Sequence, residues 1–540
     1  MLTLNYSDIE SNISDNIFTA ETVTDRLGNN HYEDLELKDI TFKEKFNELD
    51  NKSTETDKDE TCFKSPFIIW LKRTLNAETK GVEPINENEK NDTNIFGSSF
   101  VWFSANLVLA AYGVGSLGPT VYHLNFAISV LTIVFFNILG LVSVSFFSVF
   151  GAELGLRQMI ISRYLVGNVT ARIFAALNCI GCVGWDVLNI YLAAKLFAII
   201  KTGGNHLPLW GGCIVIVGST VFIAALGYKF IHIYEKWSWI PNLAVFLIII
   251  SRIKISREFS NGPWTSGSTT AGNVLSFGSA IFGSAAGWVT YSADYTVYMP
   301  RRTNKFRIFF FNSIGLAFSL IFTMIVGAAA GICAVNNSKW MELYNEFQIG
   351  GVTYALLVPN SLHGFGKFCC VILAMSTVAN NVPSMYTIAL SVQALWEPLT
   401  SVPRAIWTIF ANIVVLGISI PACYFFQSFM QNFMGSIGYF YALYIGISLA
   451  EHCVFRRKFG NYNVNDHSNW EKLPIGFAGC IALIVGSFGV ALGMAQTYWV
   501  GEIARKIGTY GGDIGFELGM SWAFLTYIII RPIEIKYYGR

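Results

Sequence analysis

The sequence predicts an all-α integral membrane protein of about twelve spanning helices, and three observations carry that prediction. Charged residues make up 14% of the 540 positions and hydrophobic ones 53%, whereas soluble domains are roughly 25% charged. Apolar runs of about 18 to 25 residues, long enough to cross a bilayer, recur along the chain. Glycines, prolines and side-chain amides stand inside several of these runs, where a helix surrounded by lipid has no use for them.

Taken in order, the first 95 residues are polar and charge-rich, as in ELDNKSTETDKDE, and are expected to form a disordered cytoplasmic tail over 1–95. Within it, SPFIIWLKRTL suits the membrane surface. The tail lacks the basic, apolar and small-residue parts of a signal peptide, so insertion is expected to begin at the first span. Spans are expected near 98–119, 122–150, 171–199, 211–230, 238–255, 274–297, 308–333, 366–392, 404–425, 432–452, 474–496 and 514–531. They form one domain over 96–532, followed by a short cytoplasmic tail over 533–540. The 238–255 span is the weakest, because SRIKIS interrupts its far end, and 122–150 is long enough to need tilt.

Basic residues favour the loops on the side of the termini, among them Arg157, Arg163, Arg301, Arg302, Arg456 and Arg457. The opposite loops hold fewer, although Arg252, Lys254 and Arg257 run against the trend. This bias predicts both termini in the cytoplasm. A net charge of +1 offers no clustered basic surface for nucleic acid. The ten cysteines lie mostly in apolar runs without metal-ligand spacing and read as small buried hydrophobes. No HExxH, Walker A or GxSxG pattern is present, so no enzyme, cofactor or metal site is expected.

Interruptions cluster in two spans that lie five apart. The first carries Gly113, Gly115, Gly118 and Pro119, and the sixth carries Gly278, Gly283 and Gly287 with serines between them. Small residues at this spacing also let helices pack closely. Paired interruptions at corresponding places in two halves point instead to an inverted-repeat transporter with a midplane site, and discontinuous helices are the preferred expectation. The same five-span step links spans three and eight. Span three places Trp185 and Asn189 on one helix face, and span eight carries the adjacent amides Asn380 and Asn381. An indole offers a flat stacking face and an amide both donor and acceptor. With Trp288 in span six as a second wall, these residues suit a planar, neutral, hydrogen-bonding solute. Interfacial anchoring of the tryptophans and helix bridging by the asparagines remain the alternatives. Adjacent asparagines point about 100° apart on a helix, so one is expected to meet solute and the other to brace the bundle.

At GAELGLRQMI (151–160), EKWSWIPN (235–242), GSAAGWVTYSADYTVYMP (283–300) and ANNVPSMYT (379–387), the chain resembles the fungal purine-cytosine permeases of the nucleobase–cation symporter-1 family. The resemblance runs from about residue 75 to the C-terminus. It implies a five-plus-five inverted repeat like that of LeuT plus two C-terminal helices. It also implies uptake of adenine, guanine, hypoxanthine or cytosine with protons across a plasma membrane. Carried over residue by residue, Trp185 matches a stacking tryptophan, Asn189 its polar partner, Trp288 the span-six wall and Ser104 a polar contact from span one. Asn380, Asn381 and Pro383 match the span-eight motif. Ser384 departs from it, standing where the family pattern has asparagine, and Asp186 stands where a small residue is usual.

Ionisable residues inside a membrane are functional candidates. Asp186, mid-span beside Trp185, is therefore a candidate for binding the coupling ion, with contact to another helix as the alternative. Ser376 and Thr377 correspond in place to hydroxyls of the sodium site in bacterial relatives. Glu153 and Asp294 sit near span ends, where gate or structural pairing with Arg157 or Arg301 is expected. Two further functions stay open: a related permease for another nucleobase, a nucleoside or a vitamin, and a transporter-like nutrient sensor.

Overall fold

In lipid every backbone N–H and C=O must be satisfied within the protein, and a helix does this within one segment. The computed structural model describes residues 81–200, 207–225, 228–425 and 427–540, and there the apolar runs are helices throughout. The tail up to residue 80, with its SPFIIWLKRTL stretch, lies outside the described residues. The helices are α1 Ile95–Asn106, α2 Leu109–Thr120, α3 Phe126–Leu154, α4 Gln158–Leu165, α5 Asn168–Ile200, α6 Leu209–Ala225, α7 Tyr228–Ser256 and α8 Ser268–Ala286. They continue as α9 Lys305–Asn336, α10 Ser338–Phe347, α11 Ile349–Leu357, α12 His363–Met375, α13 Thr377–Leu395, α14 Arg404–Phe425, α15 Gln427–Ala450, α16 Phe477–Gly493 and α17 Gly515–Tyr538. Among the described residues eight helices are long and apolar enough to cross a membrane, or nine if the bent α1–α2 pair is one span, and α6 and α16 are shorter apolar helices. With α8, this is compatible with about twelve crossings.

The first span is broken, but not at its glycines. The chain bends by 55° between α1 and α2, where Leu107 and Val108 leave helical geometry and Val108 is fully extended. Gly113, Gly115 and Gly118 lie inside the intact α2. A Cβ on Gly115 would stand 1.9 Å from the Met324 carbonyl oxygen, and one on Gly327 would stand 2.0 Å from that of Tyr112. These glycines therefore let the backbones of α2 and α9 touch. The sixth span behaves alike. Gly278 and Gly283 lie within continuous α8, and a Cβ on Gly278 would meet the Phe136 ring at 2.3 Å. Regular helix stops at Ala286, and residues 287–300 continue as buried turns with a short 3-10 turn at Ser292–Tyr295. Irregular backbone survives at this depth because protein encloses it.

Three further expectations shift. Residues 81–94 belong to the packed body: Val82, Ile85 and Lys90 are buried, and Ile85 N donates to Gly155 O at 2.9 Å. Lys90 Nζ reaches Ala152 O at 3.0 Å and Asp92 N reaches Tyr298 O at 3.1 Å, so these polar residues are held by carbonyls at the end of α3 and in the 287–300 segment. The C-terminal tail is helical to Tyr538, because Glu534 is buried and accepts from the Gly476, Phe477 and Ala478 amides at the start of α16. The loop expected between spans seven and eight instead folds into α10 and α11.

Candidate functional site

The break between α1 and α2 leaves backbone groups that a continuous helix would have paired. Distant side chains satisfy them. Ser376, at the junction of α12 and α13, accepts from Leu109 N at 3.0 Å through its Oγ, which also donates to Leu373 O at 2.6 Å. Asn380 on α13 donates from Nδ2 to Ala105 O at 2.6 Å, and its Oδ1 accepts from Asn189 Nδ2 on α5 at 2.8 Å. The broken turn, α5 and α13 are thus tied through one amide.

Beside this knot lies a tight cavity of about 30 Å³ lined by Asn106, Ala110, Ala111 and Val114 from the first span, Trp185 from α5, Ser284, Gly287, Trp288 and Tyr291 from α8 and the turns after it, and Asn380 and Ser384 from α13. Asn106 Oδ1 accepts from Trp288 Nε1 at 3.0 Å, and its Nδ2 donates to Trp102 O at 2.8 Å, which fixes that indole. Trp288 also meets Trp102 edge-on at 5.3 Å and Tyr291 at 5.6 Å. Trp185 is braced from behind by Phe433, 6.1 Å away. Trp185 Nε1 and Asn189 Oδ1 close no hydrogen bond. Two indoles, a phenol ring, two amides and two serine hydroxyls give the cavity flat apolar walls and a few fixed polar groups. That combination suits a small aromatic heterocycle.

Of the expected residues, Trp185, Trp288, Asn380 and Ser384 line the cavity, and Asn189 meets it through Asn380. Asn381 is fully buried, does not line the cavity, and both its amide atoms lack partners. The two adjacent amides face different surroundings, but the expected division of labour does not hold: Asn380 both lines the cavity and braces Ala105 and Asn189, and Asn381 makes no bracing bond. Asp186 lies behind Ser384, whose Oγ donates to its Oδ2 at 3.0 Å. Pro383 sits inside α13 and its carbonyl accepts from the Tyr295 hydroxyl at 3.1 Å. Ser104 does not line the cavity; its hydroxyl pairs with that of Ser238 on α7. The polar contact from the first span is Asn106, two residues and about half a helix turn closer to the break. Thr377, the first residue of α13, donates to Ala374 O at the end of α12, 2.8 Å away. Among the described residues no group of three or more His, Cys, Asp or Glu could hold a metal.

Below the cavity, toward residues 81–94, a buried polar network closes the bundle. Arg157 is buried and donates from Nη1 to Asp294 O at 3.0 Å and from Nη2 to the Tyr298 hydroxyl at 3.4 Å. Asp294 Oδ1 caps α4 by accepting from Gln158 N at 2.7 Å. Gln158 Nε2 donates to the Tyr444 hydroxyl at 2.8 Å. Arg157 and Arg404 lie over the Tyr386 ring at 5.6 and 4.3 Å. Glu153 pairs with Lys305 at 3.1 Å and Arg301 at 3.9 Å. Sequence reasoning missed Asn106, Tyr291 and Gln158. Asn106 carried the available signal, being an amide inside an apolar span.

A family model described as permease for cytosine/purines, uracil, thiamine, allantoin matches residues 84–501. The purine-cytosine permease FCY21 of Saccharomyces cerevisiae is 61% identical over 477 residues, covering 88% of this chain and 90% of the relative. The purine-cytosine permease fcyB of Emericella nidulans is 41% identical over 474 residues, with 88% and 92% covered. Among solved structures, Mhp1, a nucleobase-cation-symport-1 family transporter in a closed conformation with bromovinylhydantoin bound, superposes with a TM-score of 0.63 at 15% identity, covering 86% of this chain and 96% of that one. That likeness shows the fold, and the matched relatives are named as permeases.

Proposed function

The chain belongs to the family of permeases for cytosine/purines, uracil, thiamine and allantoin, and we propose that it imports purine bases and cytosine together with protons by alternating access. The observation that carries this reading is the cavity at the α1–α2 break, with Trp185 and Trp288 as walls and Asn380 at its polar edge. A base would stack on the indoles and exchange hydrogen bonds with Asn380, with Asn189 holding that amide in register. Relatives named as purine-cytosine permeases support the substrate class.

Proton rather than sodium coupling is favoured by how the broken turn is satisfied. An amide N–H already donates to the Ala105 carbonyl, and the Ser376 hydroxyl is engaged with Leu109 N and Leu373 O, which leaves one lone pair on each of these oxygens rather than an open set of hard-cation ligands. Asp186, buried at the cavity wall behind Ser384, is the coupling candidate that reports on the solute. Placement in the plasma membrane, with both termini and the Arg157–Asp294 network on the cytoplasmic side, agrees with the distribution of basic loops.

Uptake of radiolabelled cytosine, adenine and hypoxanthine in permease-null cells, with and without a protonophore, tests this reading. Saturable uptake that the protonophore collapses is expected. No uptake at verified surface expression would refute the permease, and uptake indifferent to the proton gradient would refute the coupling. Ser384, where the family pattern has asparagine, supports a second reading in which the preferred substrate differs. Competition of cytosine uptake by other nucleobases, nucleosides and pyridoxine distinguishes the two.

A further inference from the structure

Glu235 stands in EKWSWIPN on α7, just before the apolar stretch, at a position that composition assigns to a loop. In the fold it is fully buried, and neither carboxylate oxygen has a hydrogen-bond partner. The Ser104 hydroxyl, the side chain that acts on it, is itself paired with Ser238, one turn along α7 from Glu235. The helices packed against α7 are α1, α6, α9, α11, α12 and α13. Among the described residues no charged side chain from any of them acts on this carboxylate, and Tyr234, its neighbour on α7, is the titratable group that feels it. A buried ionised carboxylate without a counter-charge is strongly disfavoured, so this closed arrangement suits the protonated acid.

Its position connects it to the solute. Both α1 and α7 start at the end of the bundle that carries residues 81–94, and Ser104 and Glu235 lie two to three turns in from those starts. Ser104 and Ala105 are consecutive. The first faces Glu235, and the second accepts from Asn380, the amide at the polar edge of the cavity. Carboxylate and cavity amide therefore act on successive residues at the end of α1.

We propose that Glu235 binds the co-transported proton, and that Ser104 and Ser238 pass its protonation state to the broken turn that holds the cavity. The inference rests on the permease reading above and adds to it a second protonatable group, apart from Asp186, that solute does not touch. With the acid protonated the α1–α7 contact is neutral and closed. Loss of the proton to the side of residues 81–94 leaves a bare carboxylate that must reach water, which parts α1 from α7 and opens the route below the cavity. Only an O–H bond is made and broken, the proton arriving from one side and leaving on the other.

The test uses the full chain in permease-null cells, comparing wild type, Glu235→Gln and Glu235→Asp at matched surface expression. Three readouts are cytosine accumulation, cytosine-induced alkalinisation of a weakly buffered suspension, and exchange of internal for external cytosine. Glu235→Gln, which cannot release a proton and so holds the neutral, closed α1–α7 contact, is expected to lower accumulation, alkalinisation and exchange at least tenfold at normal surface expression. Glu235→Asp is expected to keep alkalinisation, with its dependence on external pH displaced. Normal accumulation and alkalinisation by Glu235→Gln would overturn the proposal while leaving the permease reading intact. Equal loss of all three readouts in both variants would overturn it in favour of a packing role. Replacing external sodium by choline is expected to change nothing, and loss of accumulation on that replacement would overturn the proton as ligand. A wild-type chain that carries no base at all would instead refute the permease reading.

Discussion

At the end nearest residues 81–94 the cavity is shut by a buried guanidinium, a capped helix and tyrosines drawn from α4, α13, α15 and the turns after α8. At the other end it gives way to a second, very small cavity of about 10 Å³, which shares Ala110 and Val114 with the first and is otherwise lined by Gly113, Ser116, Leu117, Leu188, Leu192, Tyr344, Gln348 and Ile349. The polar closure there is slight: the Thr120 hydroxyl donates to the Tyr344 hydroxyl at 2.9 Å. One end is therefore held by several directional bonds that must break together, the other by side-chain packing that rotamer changes can open. The contrast points to the α10–α11 end as the one that opens first, in line with the import proposed above.

Four substitutions break or sharpen that contrast. Trp185→Ala removes a wall of the cavity between the two ends, and saturable uptake is expected to vanish while surface delivery stays normal; retained uptake would place the solute elsewhere. Arg157→Ala empties the network at the first end. Losing hydrogen bonds to a charged group costs about 1.5–3 kcal/mol, so uptake should fall at least tenfold and the purified protein should melt several degrees lower. If both stayed at wild-type values, the two ends would not differ as described. Ser384→Asn restores the amide of the family pattern at the cavity wall, and one added hydrogen bond of about 0.5–1.5 kcal/mol should tighten apparent cytosine affinity roughly two- to tenfold. An unchanged or weaker affinity would detach substrate preference from this position. Tyr344→Phe removes one hydrogen bond at the loosely closed end, and initial uptake rates are expected to change by about twofold or less; a loss as large as that of Arg157→Ala would erase the contrast.

Much of the bundle was legible because transfer to lipid is a property of each residue's own surface, so apolar runs mark spans whatever their neighbours. The stacking and amide candidates were legible for a related reason: Trp185, Asn189, Trp288 and Asn380 are the wrong residues for lipid, and their five-span spacing paired them. Gln158 and Tyr291 were not, since nothing in their local sequence separates a network member from an ordinary membrane-edge residue. Glu235 escaped because the polar residues around it placed it before the span, although α7 begins seven residues earlier, at Tyr228.

By itself the sequence determined that the chain spans the membrane many times, that two spans five apart carry interruptions, and which aromatic and amide side chains lie at membrane depth. Only the tertiary structure decided where the first span breaks, which of two adjacent asparagines meets the cavity, and whether a glycine unwinds a helix or lets another pass against it. The physical reason is that a broken turn is stable only where partners for its freed backbone groups exist. Those partners, Ser376 for Leu109 and Asn380 for Ala105, lie 267 and 275 positions away along the chain. No local reading of Gly113 or Val108 contains them.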